Sequence, residues 1–392
     1  MNVIILSPHF PPNHVNYAKA VKKVGDTCLG IGDSPDISDE LRNTLDEYCY
    51  VPDMMNYDAM VRTVGYLTSK YGKIDRIDSM NEWWLGIEAQ LRLDFNIFGQ
   101  KPEQTDINRS KLGMKQVAMA ANLPVARGCE VESLEQLREF INQVGYPIVV
   151  KPVVGVGASA TYPINNKDEL DHCFEFIHGR YICEEFIKGD IVTFDGFVDR
   201  HGEILFYTSH EYNASVMDCV LDARSMYYYN RTKVDPVLED LGRRCVAAFN
   251  VRERFFHIEW FRTQERTESQ EPKYCFLEIN VRTPGLYTID MMNYSADISL
   301  YDMWASSFHD MRLYEKEQTK VKYSVGFVGR RVNENFKHSH DDIMHEFSEL
   351  MVMSQPVPGS YADAMGDFFY LIRHKDEKRV LAAMKYIIEV ND

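Results

Sequence analysis

Polar side chains alternate along residues 276–285, whose sequence is FLEINVRTPG. Because successive side chains of a strand point to opposite faces, Glu278, Asn280 and Arg282 should share one face. The opposite face, directed at the core, should carry Leu277, Ile279 and Val281. Carboxylate and amide oxygens suit Mg²⁺, and a guanidinium suits a phosphoryl group. The pattern predicts a magnesium–polyphosphate site, and the alternative is a half-exposed sheet face with solvated charges.

A second strand-like segment, FHIEWF at residues 256–261, precedes the first. Its period of two places His257 and Glu259 on one face. If the two segments pair, Glu259 would lie beside Glu278, and the carboxylates could complete a two-metal site. His257 could orient a substrate, although a single histidine on a strand is more often structural.

The segment 147–161 combines a strand-like run ending at Lys151–Pro152 with a loop that contains Gly155, Gly157 and Ser159. An ammonium group and free backbone N–H groups placed in this way can hold phosphates. The loop is not a Walker A loop, because no Gly-Lys-Ser/Thr sequence closes it. A glycine-rich hairpin without a ligand is the alternative.

Residues 181–190, YICEEFIKGD, predict a strand that runs into a short polar connection. Backbone groups exposed there could pair with an adenine edge, and a carboxylate could accept a hydrogen bond from the exocyclic amine. A strand end followed by an ordinary turn explains the same residues without a ligand.

In this order, the segments resemble the ATP-grasp superfamily over residues 3–300, and the C-terminal region also fits. The resemblance implies that Lys111, within NRSKLGMK, and Lys151 bind a nucleotide. It also implies a flexible loop that closes over the phosphates through Gly155, Gly157 and Ser159.

Four further roles follow from the resemblance. Adenine would be held by the connecting segment that comprises Glu184, Glu185, Phe186 and Ile187. The magnesium ligands would be Glu259, Glu278 and Asn280, with Arg282 near the acyl phosphate. Family members often carry a ribose-binding acid two residues after the glycine that follows this segment. Here Asp190 directly follows Gly189 and would have to substitute for that acid.

The resemblance implies an ADP-forming ligase that uses ATP and Mg²⁺, with Mn²⁺ as a substitute. A carboxylate would be activated as an acyl phosphate and joined to an amine or a related nucleophile, for instance between amino acids. One alternative is an enzyme like biotin carboxylase or the purine-pathway ligases, which share the fold. Another is a nucleotide-binding sensor or scaffold without turnover.

The acceptor pocket is less clearly marked in the sequence. Glu82 follows a predicted strand and could bind a substrate amine, although an acid at a helix start is equally ordinary. Arg224 and Arg231 could hold a substrate carboxylate, and solvated surface arginines are the alternative.

The composition restricts the partners. The chain has 392 residues, with 43 Lys and Arg against 59 Asp and Glu, and a formal charge of −16. A surface this acidic repels nucleic acid and anionic lipid, and we therefore expect small-molecule substrates. A homo-oligomer is compatible with the composition. The eight cysteines form no C-x-x-C pair, and no leader-like segment is evident, which favours a cytoplasmic protein with reduced thiols.

Alternating strand-like and helix-like segments predict an α/β and α+β protein with the ATP-grasp architecture. We expect an N-terminal domain with a doubly wound parallel sheet at 1–105 and a small nucleotide-binding lobe at 106–182. A central lobe with the metal site should occupy 183–320, and a closing module 321–392. A single helix is predicted at 107–121. The turn after the first strand lacks glycine, so NAD binding is poorly supported.

Overall fold

The computed structural model describes residues 1–155, 160–213, 224–267 and 271–391. Within these ranges no helix has both the length and the hydrophobicity that crossing a bilayer requires. The seven cysteines that they contain are free thiols.

A four-stranded parallel sheet forms the N-terminal unit, in the order β3-β2-β1-β4. Its strands are β1 (Asn2–Leu6), β2 (Thr27–Gly32), β3 (Glu47–Tyr50) and β4 (Arg76–Ser79). The helices around it are α1 (Val15–Lys23), α2 (Asp39–Thr44), α3 (Tyr57–Tyr71) and α4 (Leu85–Asp94). Val3 and Ile5 pack into one core, whereas Ile4 and Leu6 pack into another. Both faces of β1 are covered, which explains its uninterrupted apolar sequence and confirms the predicted parallel sheet.

The helix predicted at 107–121 is wrong, because two helices occupy this region. They are α5 (Pro102–Arg109) and α6 (Lys111–Ala120). Ser110 separates them in an extended conformation, and its hydroxyl accepts a hydrogen bond from the Gly113 amide at 3.1 Å. This N-cap starts a new helix and places Lys111 in its first turn. The Lys111 amide donates to the Val153 carbonyl at 2.8 Å, which anchors α6 to the glycine-containing loop.

A small antiparallel sheet follows, in the order β5-β8-β6-β7. Its strands are β5 (Gly128–Glu130), β6 (Ile148–Pro152), β7 (Tyr162–Ile164) and β8 (Tyr181–Glu185), and its helices are α7 (Leu134–Val144) and α8 (Lys167–Phe176). Leu137, Ile148 and Leu170 belong to the core between these helices and the sheet. Because β6 and β8 pair antiparallel, with Lys151 opposite Ile182 and Glu184 opposite Val149, Lys151 and Glu184 are diagonal neighbours on the sheet.

A nine-stranded sheet makes up the remainder, in the order β14-β13-β9-β11-β12-β15-β17-β16, with β10 on β9. Its strands are β9 (Gly189–Val198), β10 (Ile204–Thr208), β11 (His210–Tyr212), β12 (Met226–Asn230), β13 (Arg254–Arg266), β14 (Pro272–Asn280), β15 (Ser324–Arg330), β16 (Met351–Pro356) and β17 (Phe368–His374). Its helices are α9 (Pro236–Ala248), α10 (Thr288–Ala296), α11 (Leu300–Ser307), α12 (His340–Phe347), α13 (Ala362–Met365) and α14 (Glu377–Ile387). Because β15 pairs with β12, the C-terminal segment shares one sheet with the central region.

A β-bulge interrupts the pairing of β13 with β14. Glu259 lies opposite Glu278, but Trp260 lies opposite Phe276, so Leu277 is the extra residue. The predicted placement of Leu277 in the core row is therefore wrong: it is half-buried and lies outside the cluster that contains Phe276 and Trp260. Ile279 and Val281 do belong to that cluster. An unpaired residue shifts the alternation beyond it, which a strict period of two does not anticipate.

Candidate active site

The pairing of β13 with β14 brings together the four polar residues predicted on these strands. Glu259 is the direct cross-strand partner of Glu278, and His257 is the partner of Asn280. The Asn280 side-chain amide donates to Glu278 Oε1 at 3.2 Å. Ile258 and Ile279, which alternate with these polar side chains, are fully buried in the core. A rigid sheet therefore holds two carboxylates and an amide oxygen on one surface.

The two carboxylates create a local excess of negative charge. Burial, and then the neighbouring Glu259, raise the pKa of Glu278, while Lys111 and Lys151 act in the opposite direction. Two carboxylates and an amide are oxygen donors of the kind that Mg²⁺ takes, and Mg²⁺ completes its shell with phosphate and water oxygens. Within the described ranges no cluster of three or more His, Cys, Asp or Glu side chains is arranged for a metal. Two carboxylates and one amide are too few donors for a closed metal site. They fit a magnesium ion that takes its remaining ligands from a polyphosphate and water.

Lys111 and Lys151 act on Glu278, and Lys151 and Lys115 both contact Glu184. The Lys111 ammonium group donates to the Gly155 carbonyl at 3.0 Å, and burial lowers its pKa while Glu278 opposes that shift. Lys151 Nζ lies 2.5 Å from Glu184 Oε2, and Lys115 Nζ lies 2.6 Å from Glu184 Oε1.

Glu184 is held ionised by its two lysines. Burial alone would raise its pKa, but Lys151 and Lys115 outweigh burial and lower it. The sequence reasoning missed Lys115. Its position four residues after Lys111 on α6, on the same helix face, was the available signal.

The predicted phosphate loop is described only in part. Gly155 has a φ of 157° and open space where a side chain would point, whereas Gly157 and Ser159 lie outside the described residues. The main chain at Gly155 is thus within reach of Lys111, and it adopts a conformation that favours glycine.

The residues of the predicted adenine segment differ in their partners and in their exposure. The Glu185 carboxylate accepts hydrogen bonds from the Arg127 guanidinium at 2.6 and 2.8 Å, which joins β8 to the segment before β5. Phe186 is 43% exposed, and Ile187 is half-buried. Further along, Asp190 is largely exposed and lies 3.3 Å from the Arg262 guanidinium. Glu185 and Asp190 therefore both have an arginine partner.

Glu82 links the N-terminal domain to the segment that directly follows β14. Its Oε2 accepts from Arg282 Nε at 3.0 Å, and its Oε1 accepts from Arg109 Nε at 3.1 Å. The Arg282 guanidinium also lies 3.4 Å from the Asn280 side-chain oxygen. Glu82 and Arg282 are thus brought together from 200 positions apart in the chain, at the edge of the carboxylate pair.

A buried polar cluster behind Glu259 was not found from the sequence. His257 Nδ1 is 2.5 Å from Asp195 Oδ1, and His257 Nε2 is 3.0 Å from Glu259 Oε1. His210 Nδ1 lies 2.7 Å from the other oxygen of Asp195. Burial lowers the pKa of His257, but Asp195 and Glu259 outweigh it and bring it to about 10. A protonated His257 therefore donates to Glu259, and a buried acid within the apolar strand β9 was the signal for this cluster.

The two arginines predicted for substrate binding occupy other surroundings. Arg231 lies 3.3 Å from Glu211 and 3.4 Å from Glu377 of α14. Arg224 is exposed, and its carbonyl accepts from Arg331 Nε at 3.0 Å.

The comparisons agree with this geometry. The family model for the carbamoyl-phosphate synthase L chain, ATP binding domain, matches residues 110–183, which include Lys111 and Lys151. The crystal structure of the L-amino acid ligase from Bacillus licheniformis superposes with a TM-score of 0.74 and 14% identity, over 98% of this chain and 96% of that one. The chain has the ATP-grasp fold.

Curated relatives match the chain over different extents. The L-arginine-specific L-amino acid ligase of Bacillus subtilis is 24% identical over 295 residues, which is 72% of this chain and 68% of the relative. The pyruvate carboxylase of Aspergillus terreus is 24% identical over 203 residues, which is 49% of this chain. The chain spans only 16% of the length of that carboxylase.

Proposed function

We propose that this ATP-grasp protein is an ADP-forming carboxylate–amine ligase that uses ATP and Mg²⁺. The observation that carries the proposal is the cross-strand pair of Glu259 and Glu278. Lys111 and Lys151, from the neighbouring lobe, are close enough to act on the pKa of Glu278. Acidic oxygens on one side and ammonium groups on the other form a site for a metal-bound polyphosphate.

In this proposal each group of residues has a distinct task. Glu259, Glu278 and Asn280 would hold Mg²⁺, whose charge neutralises the phosphoryl oxygens when it is bound. Lys111 and Lys151 would bind the phosphates, and the loop 155–159 would cover them and exclude water. The segment 184–187 would hold adenine, and Asp190 would approach the ribose.

The reaction would consist of two displacements. A carboxylate oxygen of the substrate attacks the γ-phosphorus, the bond to the β-phosphate bridging oxygen breaks, and ADP leaves. The amine nitrogen then attacks the acyl carbon, the carbon–oxygen bond to phosphate breaks, and the nitrogen loses a proton. Arg282 lies at the edge of the site, where its charge would stabilise the oxygens of the acyl phosphate. Its hydrogen bond to Glu82 fixes the direction of the guanidinium.

The substrates in this proposal are amino acids. Support comes from the two L-amino acid ligases to which the chain is similar. Candidate substrate contacts are Glu82, His257, Arg224 and Arg231. We further propose action in the cytoplasm on small molecules, without a nucleic-acid or membrane partner, and a division into units at 1–105, 106–182, 183–320 and 321–392.

The test is ADP release from ATP and Mg²⁺, screened against L-amino acids singly and in pairs, with the product mass followed in parallel. We expect release that requires two amino acids and yields their condensed mass less one water. The control is Glu278→Gln, which should release ADP about 10²- to 10³-fold more slowly because a ligand of the proposed metal is lost. Tight ATP binding without release under any pairing would refute the amino-acid ligase. Release with bicarbonate alone would point instead to a carboxylase.

A further inference from the structure

A cavity of about 540 Å³ lies between the N-terminal domain and the turn that joins β9 to β10. Its wall includes Lys73, Arg76 and Lys101 from the N-terminal domain, together with Arg200 and Arg252. Asp75 is the acidic residue in that wall. We propose that this cavity binds a small organic anion that carries two or more negative charges, as phosphate or carboxylate groups.

The charge of the cavity is opposite to that of the chain. Acids outnumber bases by 59 to 43 in the whole sequence, yet five of the six charged residues in this wall are cations. Within the described ranges, Arg76 pairs with the buried Glu253 at 2.9 Å and Arg200 pairs with Asp310 at 3.4 Å, whereas no carboxylate lies within 4 Å of the side-chain nitrogens of Lys73, Lys101 or Arg252. Uncompensated cations that line a concave surface attract anions strongly, because the low-dielectric walls focus the field.

Lys101 has backbone carbonyls, and no carboxylate within the described ranges, as its hydrogen-bond acceptors. Its ammonium group donates to the backbone carbonyls of Arg92, at 2.7 Å, and Ile97. Burial, and then the Arg92 guanidinium, lower its pKa. An anion in the cavity would supply the negative charge that these carbonyl dipoles only partly provide.

The arginines are held in place before any ligand arrives. Arg252 packs on Gly202, where an added Cβ would lie 1.6 Å from its guanidinium. Arg76 and Arg200 lie 5.3 and 5.1 Å from the ring centre of Phe98. Planar guanidinium groups fixed by packing lose little freedom when they bind an anion through two parallel hydrogen bonds.

The wall also contains a buried donor without a partner. Gln100 Nε2 is shielded from solvent and has no hydrogen-bond acceptor in the structure. Gln100 lines this cavity. Since an unsatisfied buried N–H group costs free energy, an anion oxygen here would recover that cost on binding.

The cavity is separate from the candidate active site. Arg76 begins β4, and Ser79 ends it at the edge that leads to Glu82. Three strand residues correspond to about 10 Å, so the cavity lies at the opposite end of the parallel sheet from the Glu82–Arg282 pair. The inference does not depend on the ligase proposal.

The test is isothermal calorimetry with pyrophosphate, citrate and inorganic phosphate as probes, in the presence of Mg²⁺ and a saturating non-hydrolysable ATP analogue. We expect pyrophosphate and citrate to bind with one site per chain and inorganic phosphate to bind more weakly. Arg252→Gln should weaken the binding of both by about 10- to 100-fold, because one charge-assisted contact is lost. Lys73→Gln, at an exposed residue, should act in the same direction.

The matched control is Arg244→Gln, which removes the same charge from an exposed arginine of α9 that pairs with Asp240. It should leave probe binding unchanged. Equal effects of Arg252→Gln and Arg244→Gln would show that only net charge matters, and would overturn the proposal. Loss of binding in Lys151→Ala with retention in Arg252→Gln would place the anion in the catalytic site and would overturn it as well. Absence of binding for all three probes has the same consequence.

Discussion

Replacement of Glu278 by glutamine should make the ligand-free protein more stable and the enzyme inactive. In the absence of metal, Glu278 faces Glu259 across the strand pair. Burial and the like charge of Glu259 both raise the pKa of Glu278. Two unit charges about 5 Å apart repel by about 3 kcal/mol at an effective dielectric constant of about 20. Lys111 and Lys151 offset part of this repulsion. We therefore expect the free energy of unfolding to rise by roughly 1 kcal/mol.

The same substitution removes a ligand from the proposed metal site. Loss of one preorganised electrostatic group typically lowers turnover by about 10²- to 10³-fold. If Mg²⁺–ATP affinity falls by about 100-fold, the stabilisation by the ligand falls by about 2.7 kcal/mol. Thermal unfolding should thus show a midpoint about 1–2 °C higher without ligand, and a much smaller rise on addition of Mg²⁺ and ATP.

Glu265→Gln is the matched control for this experiment. Glu265 lies on β13, the strand paired with β14, and is 78% exposed, in a surface pair with Lys273 at 3.1 Å. Its substitution should change neither the unfolding midpoint nor ADP release. A Glu278→Gln protein that is both less stable and inactive would indicate a structural role, and a stable protein with full activity would remove Glu278 from the metal site. Either result refutes the reasoning.

Three other changes have defined outcomes. Lys151→Met should weaken ATP binding by about 10- to 100-fold in calorimetry, and unchanged affinity would move the phosphate site elsewhere. Burial lowers the pKa of His14 from 6.5 to about 3, so its stabilisation is present above pH 6.5 and is lost as the pH falls toward 3. Between pH 6 and 4, the free energy of unfolding in urea should depend less steeply on pH in His14→Gln than in the unsubstituted protein, by up to about 1.4 kcal/mol per pH unit. Equal slopes in the two proteins would contradict this. Asp195→Asn should raise the Mg²⁺ concentration needed for half-maximal ADP release by about 10- to 100-fold, because His257 then no longer orients Glu259. An unchanged Mg²⁺ dependence would leave Asp195 a purely structural role.

Local patterns predicted much of the framework. The alternation of side chains along a strand placed His257 and Glu259 on one face, and the structure joins them by a 3.0 Å contact. Ser133 has a residue type that favours a helix N-cap, and its hydroxyl accepts from the Gln136 amide at 3.1 Å at the start of α7. These features depend on backbone geometry and hydrogen bonds over a few residues, which the sequence alone determines.

Local patterns also failed at identifiable places. The cap at Ser110 competes with a continuous helix, and the apolar period across 107–121 does not reveal which of them prevails. The bulge at Leu277 depends on how β14 fits against β13, so it arises only when the strands pair. In both cases the departure lies beside a candidate site residue, Lys111 or Glu278.

The sequence by itself determined the residue types of the candidate site, their faces on each strand and the parallel N-terminal sheet, because each follows from short-range periodicity. Only the tertiary structure decided their partners. Glu82 meets Arg282 across 200 positions, Asp195 reaches His257 across 62, and the cationic cavity joins residues near 75, 100, 200 and 252. Contacts between such distant residues depend on how separate units pack, and the resulting burial and local charge set the pKa values of Glu278 and His257.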